Sequence, residues 1–93
     1  MPFEWDASKS MRNARERHLP FDLAMALFDG PTLEIPDGRR DYGEARIKAI
    51  GVVRDIVLAC VYTDRDGRRR IISLRTANGK ERNAYRAAHP SRP

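Results

Sequence analysis

Basic and hydroxyl side chains recur at alternate positions in two segments whose sequence pattern predicts β-strands. Arg46 and Lys48 alternate with apolar residues in the first segment. Ser73 and Arg75 do the same in the second. Because side chains two residues apart in a strand lie on the same face, we expect these four to share one face of a sheet. Guanidinium and ammonium groups bind phosphate, so the pattern predicts a site for a polyanion such as a nucleic acid.

Arg75 carries a second signal, because it ends its strand just before a predicted helix. The free N–H groups and the dipole of a helix N-terminus attract anions, and a phosphate bound there would also contact this arginine. The alternative is a structural ion pair from Arg75 to Glu81 or Glu44. The sequence leaves both interpretations open.

Histidine and cysteine add few catalytic candidates. His18 falls at the end of a predicted helix, where it is either a packed capping residue or a proton donor or acceptor near the sheet edge. Cys60, the only cysteine, lies in an apolar run and is expected in the core. Two histidines and one cysteine give no metal-ligand spacing, so we predict no metal site and no cofactor.

Four aromatic side chains are candidates for stacking on bases. Tyr42 lies in a polar loop beside Gly43 and is the best of them, and Tyr85 suits either stacking or burial. Trp5 and Tyr62 are expected in the core instead.

Charge is distributed unevenly along the 93 residues, whose formal net charge is +5. Residues 1–47 carry seven basic and nine acidic side chains, whereas residues 48–93 carry eleven basic and four acidic ones. A basic half favours a polyanionic partner, although an acidic protein or a merely solubilising surface has the same composition. No secretory signal pattern and no membrane-spanning apolar stretch is present, so a cytoplasmic location is expected.

The length predicts one α+β domain over residues 1–93 that positions these side chains. Two N-terminal helices are expected over about residues 7–18 and 22–28, with Asp6 as the first N-cap. A last helix is predicted from Asn78 to about Ala88, with Glu81 completing a capping box. Residues 3–5 are a short strand or an extended anchor. The tail from His89 to Pro93 is expected to be frayed.

Four strands separated by short turns predict an antiparallel meander sheet. Their expected bounds are Thr32–Ile35, Glu44–Val53, Ile56–Thr63 and Arg68–Arg75. The third segment is apolar on both faces, which predicts a central strand covered on both sides. Strict alternation also puts Arg69 and Ile71 on the face of Arg75, unless a β-bulge inverts part of the pattern. In the first helix, Ala7, Met11, Ala14 and His18 have the spacing of a buried stripe.

The whole chain, over about residues 3–86, resembles the BrnT toxin family. The first part of the resemblance comprises Phe3 to Asp6, Lys9, Asn13, Arg17, His18, Phe21 and Ala24. The second comprises Asp41 to Arg46 and Gly51. The third comprises Val61 to Thr63, Arg70 to Ser73, Arg75, Ala77, Glu81, Arg82 and Tyr85. No single piece is decisive, but the ordered set is specific.

The resemblance implies a RelE-like fold and an endoribonuclease that arrests translation. It also implies a BrnA-like antitoxin with a ribbon-helix-helix domain, which neutralises the toxin in a complex that is commonly a heterotetramer. On the matched positions we expect metal-independent cleavage by the RNA 2′-hydroxyl, with Arg46 and Arg75 stabilising the transition state.

The expected site residues fall into two sets. Candidates for proton transfer are Glu44, Glu81 and His18, with Lys9 and Tyr85 as secondary ones. Candidates for RNA binding are Lys9, Lys48, Arg70, Arg82, Tyr42 and Tyr85. The alternative function is a non-catalytic basic module that binds an antitoxin or a nucleic acid, and a third is an interaction protein without affinity for RNA.

Overall fold

The computed structural model describes residues 1–38 and 43–90 as three helices and a five-stranded sheet. The strands are β1 (Phe3–Trp5), β2 (Leu33–Pro36), β3 (Ile47–Val53), β4 (Ile56–Arg65) and β5 (Arg68–Thr76). The helices are α1 (Ala7–Arg17), α2 (Leu23–Asp29) and α3 (Gly79–Ala88). The predicted α+β class is therefore confirmed, with each of the three expected helices present.

The sheet is mixed, and this corrects the prediction of four antiparallel strands. Its strand order is β1-β5-β4-β3-β2. Strands β2 to β5 form the expected antiparallel meander, but β1 adds a fifth strand parallel to β5, with Phe3 opposite Arg69 and Trp5 opposite Ile71. β1 has only three residues, but a hydrogen bond of 2.8 Å from Arg69 N to Pro2 O continues its pairing with β5 by one further residue.

Helices cover both faces of the sheet. We call the face under α2 the first face, where Leu27 of α2 packs on Ala49, Leu58 and Leu74 within one buried cluster. On the second face, Tyr85 of α3 packs with Ile50 and Val57 in a separate cluster. Adjacent residues Ala49 and Ile50 are both fully buried, one in each cluster. The prediction that the middle strand is covered on both sides is thus confirmed.

A β-bulge corrects part of the predicted face assignment. The β4–β5 register shifts between Val61 and Tyr62, so that Val61 pairs with Ser73 but Tyr62 pairs with Ile71. Ile71 is buried in the first-face cluster, and the Arg69 guanidinium lies over the Tyr62 ring. The extra residue therefore moves Ile71 and Arg69 away from the face of Ser73.

Local capping fixes the helix ends as the sequence predicts. Asp6 caps α1 by accepting a hydrogen bond from Lys9 N, and Asn78 and Glu81 form the capping box of α3.

The predicted buried stripe of α1 is wrong, because Met11 is 67% exposed and Ser10 is the buried residue. Among the described residues, no helix combines the length and apolar character required to cross a bilayer.

The tail also differs from expectation at its first residue. The His89 ring packs against the Tyr85 ring, and its Nε2 atom lies 3.0 Å from Thr32 O. His89 is therefore held against the body of the domain rather than frayed, and residues 91–93 lie outside the described residues.

Candidate functional site

A groove of about 460 Å³ opens on the second face, beside the N-terminus of α3. Its floor is formed by Lys48, Val61 and Ser73, which are successive neighbours across β3, β4 and β5. Its walls come from the end of β2 and the residues after it, and from the β5–α3 junction. The described residues that line it are Ile35, Pro36, Asp37, Gly38, Lys48, Val61, Ser73, Arg75, Asn78 and Glu81.

Glu81 is the centre of the polar contacts in this groove. Arg75 donates two hydrogen bonds to it, from Nη1 to Oε1 at 2.7 Å and from Nη2 to Oε2 at 2.9 Å. The Nζ atom of Lys48 lies 2.8 Å from Oε2, and the backbone N–H of Asn78 donates to Oε1 at 2.9 Å. The carboxylate is thus shared by two cations from different strands and by its own helix cap.

Local structure explains why these groups meet. Arg75 is the penultimate residue of β5, and the capping box after it turns the chain so that Glu81, in the first turn of α3, faces back over the sheet. Lys48 lies two strands away, but its side chain leaves the same face. The arrangement therefore joins β3, β5 and α3 through one carboxylate.

The Glu81 carboxylate is almost fully buried, with 6% of its side chain exposed, whereas Lys48 and Arg75 remain 28% and 36% exposed. The hydrogen bonds from Arg75 hold the pKa of Glu81 well below its ordinary value of 4.5, and those from Lys48 and Asn78 act in the same direction. Burial acts in the opposite direction and raises the pKa of Glu81, but its effect is smaller than that of the hydrogen bonds from Arg75. Glu81 is consequently ionised, and the cluster keeps two partly exposed cations facing the groove.

Arg46 and Glu44 lie farther along the second face. Arg46 precedes β3, and its backbone oxygen accepts a hydrogen bond from Asp37 N at 2.8 Å, which extends the ladder of β2 and β3. Its guanidinium forms an ion pair with Glu44 at 3.3 Å. By register, Arg46 is separated from Arg75 by about 13 Å along the strands and about 10 Å across them. The two arginines share a face, but only Arg75 belongs to the Glu81 cluster.

Three other predicted residues with a described position lie outside the groove. Arg70 pairs with Glu4 of β1 at 3.0 Å, and Arg82 donates to Ala77 O at 2.7 Å. Lys9 lies on α1, in a neighbouring groove that shares Ser73 with the first. The prediction for Tyr42 lies outside the described residues.

Neither His18 nor Tyr85 is among the described residues that line the groove. His18 ends α1 in the left-handed conformation and lines a separate pocket with Leu23 and Leu58, rather than the groove of Glu81. Tyr85 is 7% exposed, and its hydroxyl donates to Pro31 O at 2.9 Å. Its ring belongs to the second core cluster and is not available to stack on a base.

Cys60 has the expected structural role. It is fully buried in the first-face cluster, and burial raises the pKa of its thiol to about 12. A buried thiol that stays protonated is a poor nucleophile, in keeping with the expectation that Cys60 is a core residue.

Sequence reasoning missed Asn78 as a groove residue and missed Arg12 and Arg17 of α1 beside Lys9. The sequence pattern predicts only a helix-capping role for Asn78. The spacing of Lys9, Arg12 and Arg17 is a usable signal, because positions i, i+3 and i+8 belong to one broad stripe of a helix surface.

Comparison with known families identifies the family of this chain. The model of the family described as "Ribonuclease toxin, BrnT, of type II toxin-antitoxin system" matches residues 5–81. Comparison with curated proteins gives no match. The matched range runs from Trp5, the last residue of β1, to Glu81 in the first turn of α3, and so includes every residue of the Glu81 cluster.

Proposed function

The chain belongs to the BrnT family of ribonuclease toxins from type II toxin-antitoxin systems, and we propose that the groove around Glu81 is where it cleaves RNA. The observation that carries this proposal is the junction of Arg75, Lys48 and Glu81. It presents two positive groups, fixed by a buried carboxylate, to a groove large enough for part of a nucleotide.

The proposed reaction is attack by the RNA 2′-oxygen on the adjacent phosphorus. The bond from phosphorus to the 5′-oxygen of the next nucleotide breaks, which leaves a 2′,3′-cyclic phosphate and a free 5′-hydroxyl. The transition state has more charge on the phosphoryl oxygens than the ground state, so fixed cations stabilise it preferentially. Arg75 and Lys48 supply those cations without the need for a metal ion.

Glu81 is our proposed acceptor of the 2′-hydroxyl proton. In the unbound protein its low pKa makes it a weak base. A bound phosphate competes for the hydrogen bonds of Arg75 and Lys48, which raises the pKa of Glu81 towards its ordinary value and strengthens it as a base. Lys48 donates a proton to the leaving 5′-oxygen and regains one from Glu81, whose carboxylate lies 2.8 Å away. The proton balance then closes within the cluster.

Arg46 has a supporting role in this proposal. Its position farther along the second face suits a phosphate neighbouring the scissile one, and Glu44 orients it through their ion pair at 3.3 Å. Because Glu44 lies outside the groove, we assign it no proton transfer.

Membership of a type II toxin-antitoxin family implies an antitoxin partner. We propose that this partner is a BrnA-like protein with a ribbon-helix-helix domain and that the two form a heterotetramer. We further propose that RNA cleavage takes place in the cytoplasm and arrests translation there. The residues of the groove neither require nor exclude a particular nucleobase in the RNA.

The test is cleavage of a labelled single-stranded RNA by the purified toxin in excess EDTA. We expect fragments from the wild-type protein, and a loss of about 10²–10³ in rate for Arg75→Ala, the usual effect of removing one transition-state donor. Arg15→Ala is the matched control, since Arg15 is exposed on α1 and lines neither groove. RNA that is bound but not cut by the wild-type protein would instead identify a binding module.

A further inference from the structure

A second groove of about 200 Å³ lies beside the first, on the other side of the β5 edge. It runs along α1, and Ser73 lines both grooves. Among the described residues, its lining is Lys9, Arg12, Asn13, Glu16, Arg17, Phe21, Ile72 and Ser73. The proposed cleavage mechanism makes no use of this surface.

The positive charge of the second groove comes from Lys9, Arg12 and Arg17. All three side chains are exposed, and the structure has no ion pair to any of them from the parts of the chain that it describes. From the first to the last, they extend about 12 Å along the helix axis. Glu16 is the one carboxylate among the described residues of this lining, which therefore carries a net positive charge.

The two grooves connect because β1 is short. It pairs with β5 only as far as Ile71, so the outer edge of β5 beyond that residue carries no further strand. In its place, Asn13 of α1 donates a hydrogen bond from Nδ2 to Leu74 O at 2.9 Å. This contact sets α1 beside the edge, and Ser73 becomes the bridge from the Glu81 cluster to the cations of α1.

We propose that Lys9, Arg12 and Arg17 bind backbone phosphates of single-stranded RNA that crosses the β5 edge at Ser73 from the cleavage groove. This inference rests on the proposed function and names its substrate class. A strand that leaves the second face and turns over the sheet edge must bend sharply within a few nucleotides. A single strand does so readily, whereas a duplex resists bending on this scale.

The lining of the second groove favours RNA over the antitoxin as its occupant. Protein interfaces have an apolar centre and a polar rim. Here the apolar contribution is limited to Phe21, which is 2% exposed, and the half-buried Ile72. Exposed, unpaired cations in a row instead suit a chain of phosphates.

The experiment compares two RNAs that carry 2′-O-methyl groups and therefore resist 2′-hydroxyl attack. One is a trinucleotide that fills the cleavage groove only, and the other is a 12-nucleotide strand. Their affinities for the toxin are measured over a range of salt concentrations. One variant carries both Arg12→Ala and Arg17→Ala. The control variant is Arg15→Ala, because Arg15 belongs to the same helix but does not line the groove. Equal melting temperatures check that each variant is folded.

We expect Arg12→Ala/Arg17→Ala to reduce the slope of log affinity against log salt for the long RNA by about 1.4, at about 0.7 per lost phosphate contact. At roughly 0.15 M salt this corresponds to about a tenfold loss of affinity. The ratio of the affinity for the long RNA to the affinity for the trinucleotide falls by the same factor in the double variant. In Arg15→Ala this ratio keeps its wild-type value.

A slope for Arg12→Ala/Arg17→Ala equal to that of Arg15→Ala overturns this proposal, even if unmodified RNA is still cleaved. Loss of antitoxin affinity with an unchanged RNA slope also overturns it and assigns α1 to the protein partner. If Arg12→Ala/Arg17→Ala has the reduced slope but the wild-type protein does not cut unmodified RNA, the proposed binding path is supported and the proposed cleavage is contradicted. The two proposals therefore fail in distinguishable ways.

Discussion

Arg75 and Glu81 form a two-point ion pair, with the two nitrogen–oxygen distances at 2.7 and 2.9 Å. The planar guanidinium matches the carboxylate, so the pair fixes the orientation of the arginine as well as its position. It also fastens the end of β5 to the first turn of α3. In the proposed mechanism, an arginine whose orientation is fixed in this way is already directed towards the groove when a phosphate arrives.

Arg75→Lys tests whether this geometry matters beyond its charge. A lysine ammonium cannot form the paired contact, although it retains the positive charge. We expect the rate of RNA cleavage at saturating substrate to fall by about 10²-fold, while the protein remains folded. Arg15→Lys is the matched control and should cleave at the wild-type rate. Full activity of a folded Arg75→Lys protein would show that only charge is required.

Glu81→Gln separates binding from proton transfer. Loss of the negative charge frees Arg75 and Lys48 for phosphate, so affinity for 2′-O-methyl RNA should rise by several-fold. Cleavage of unmodified RNA should nevertheless fall by about 10²-fold or more, because the amide accepts no proton. If Glu81 served only to position the two cations, weaker binding would accompany slower cleavage instead. Equilibrium binding and single-turnover rates on the same preparation decide between these results.

The pKa of Glu81 also predicts how stability depends on pH. This pKa is lowered in the folded protein, chiefly by Arg75, so ionised Glu81 stabilises the fold at pH values above its unfolded pKa of about 4.5. That contribution is lost as the pH falls below 4.5 towards the folded value. The difference in melting temperature between the wild type and Glu81→Gln should therefore be constant near neutrality and shrink between about pH 4.5 and pH 2. A difference that grows on acidification would contradict the assignment.

Tyr85→Phe tests whether this tyrosine is structural. The variant keeps the ring in the second core cluster but removes the hydrogen bond from the hydroxyl to Pro31 O. We expect the free energy of unfolding to fall by about 1 kcal/mol, with no change in RNA affinity. Tyr85→Ala, which leaves a cavity, should cost about 3–5 kcal/mol. A loss of RNA affinity in folded Tyr85→Phe would restore the prediction of base stacking.

His18→Gly tests whether the histidine is only a helix cap. His18 has a φ angle of 59°, a left-handed conformation that glycine adopts without strain. The substitution should leave the rate of RNA cleavage unchanged and should not lower the melting temperature by more than a few degrees, since relief of strain offsets the greater freedom of the unfolded chain. Markedly slower cleavage by a folded His18→Gly protein would return His18 to the catalytic candidates.

Local signals in the sequence predicted much of the fold. The capping box of Asn78 and Glu81 and the cap at Asp6 placed two helices to within one or two residues. Short turns gave the antiparallel meander. The parallel strand β1 could not be predicted with the same certainty, because its three residues pair with a strand more than 60 positions away. Such pairing depends on tertiary packing rather than on local propensity.

The candidate site was predicted in part. Alternation placed Lys48, Ser73 and Arg75 on one face, and the ion pair of Arg75 with Glu81 was one of two open interpretations. Alternation failed at Arg69, because a bulge is not visible in a pattern of period two. The link from the groove to α1 depends on how far β1 extends along β5, which only the three-dimensional structure reveals.

The most direct test of the central claim is the chemical identity of the RNA ends formed in excess EDTA. Mass spectrometry of the wild-type products should find 2′,3′-cyclic phosphate on one fragment and 5′-hydroxyl on the other, with both reduced at least 10²-fold for Arg75→Ala. Products with 3′-hydroxyl and 5′-phosphate ends, or undiminished cleavage by folded Arg75→Ala, would contradict the account.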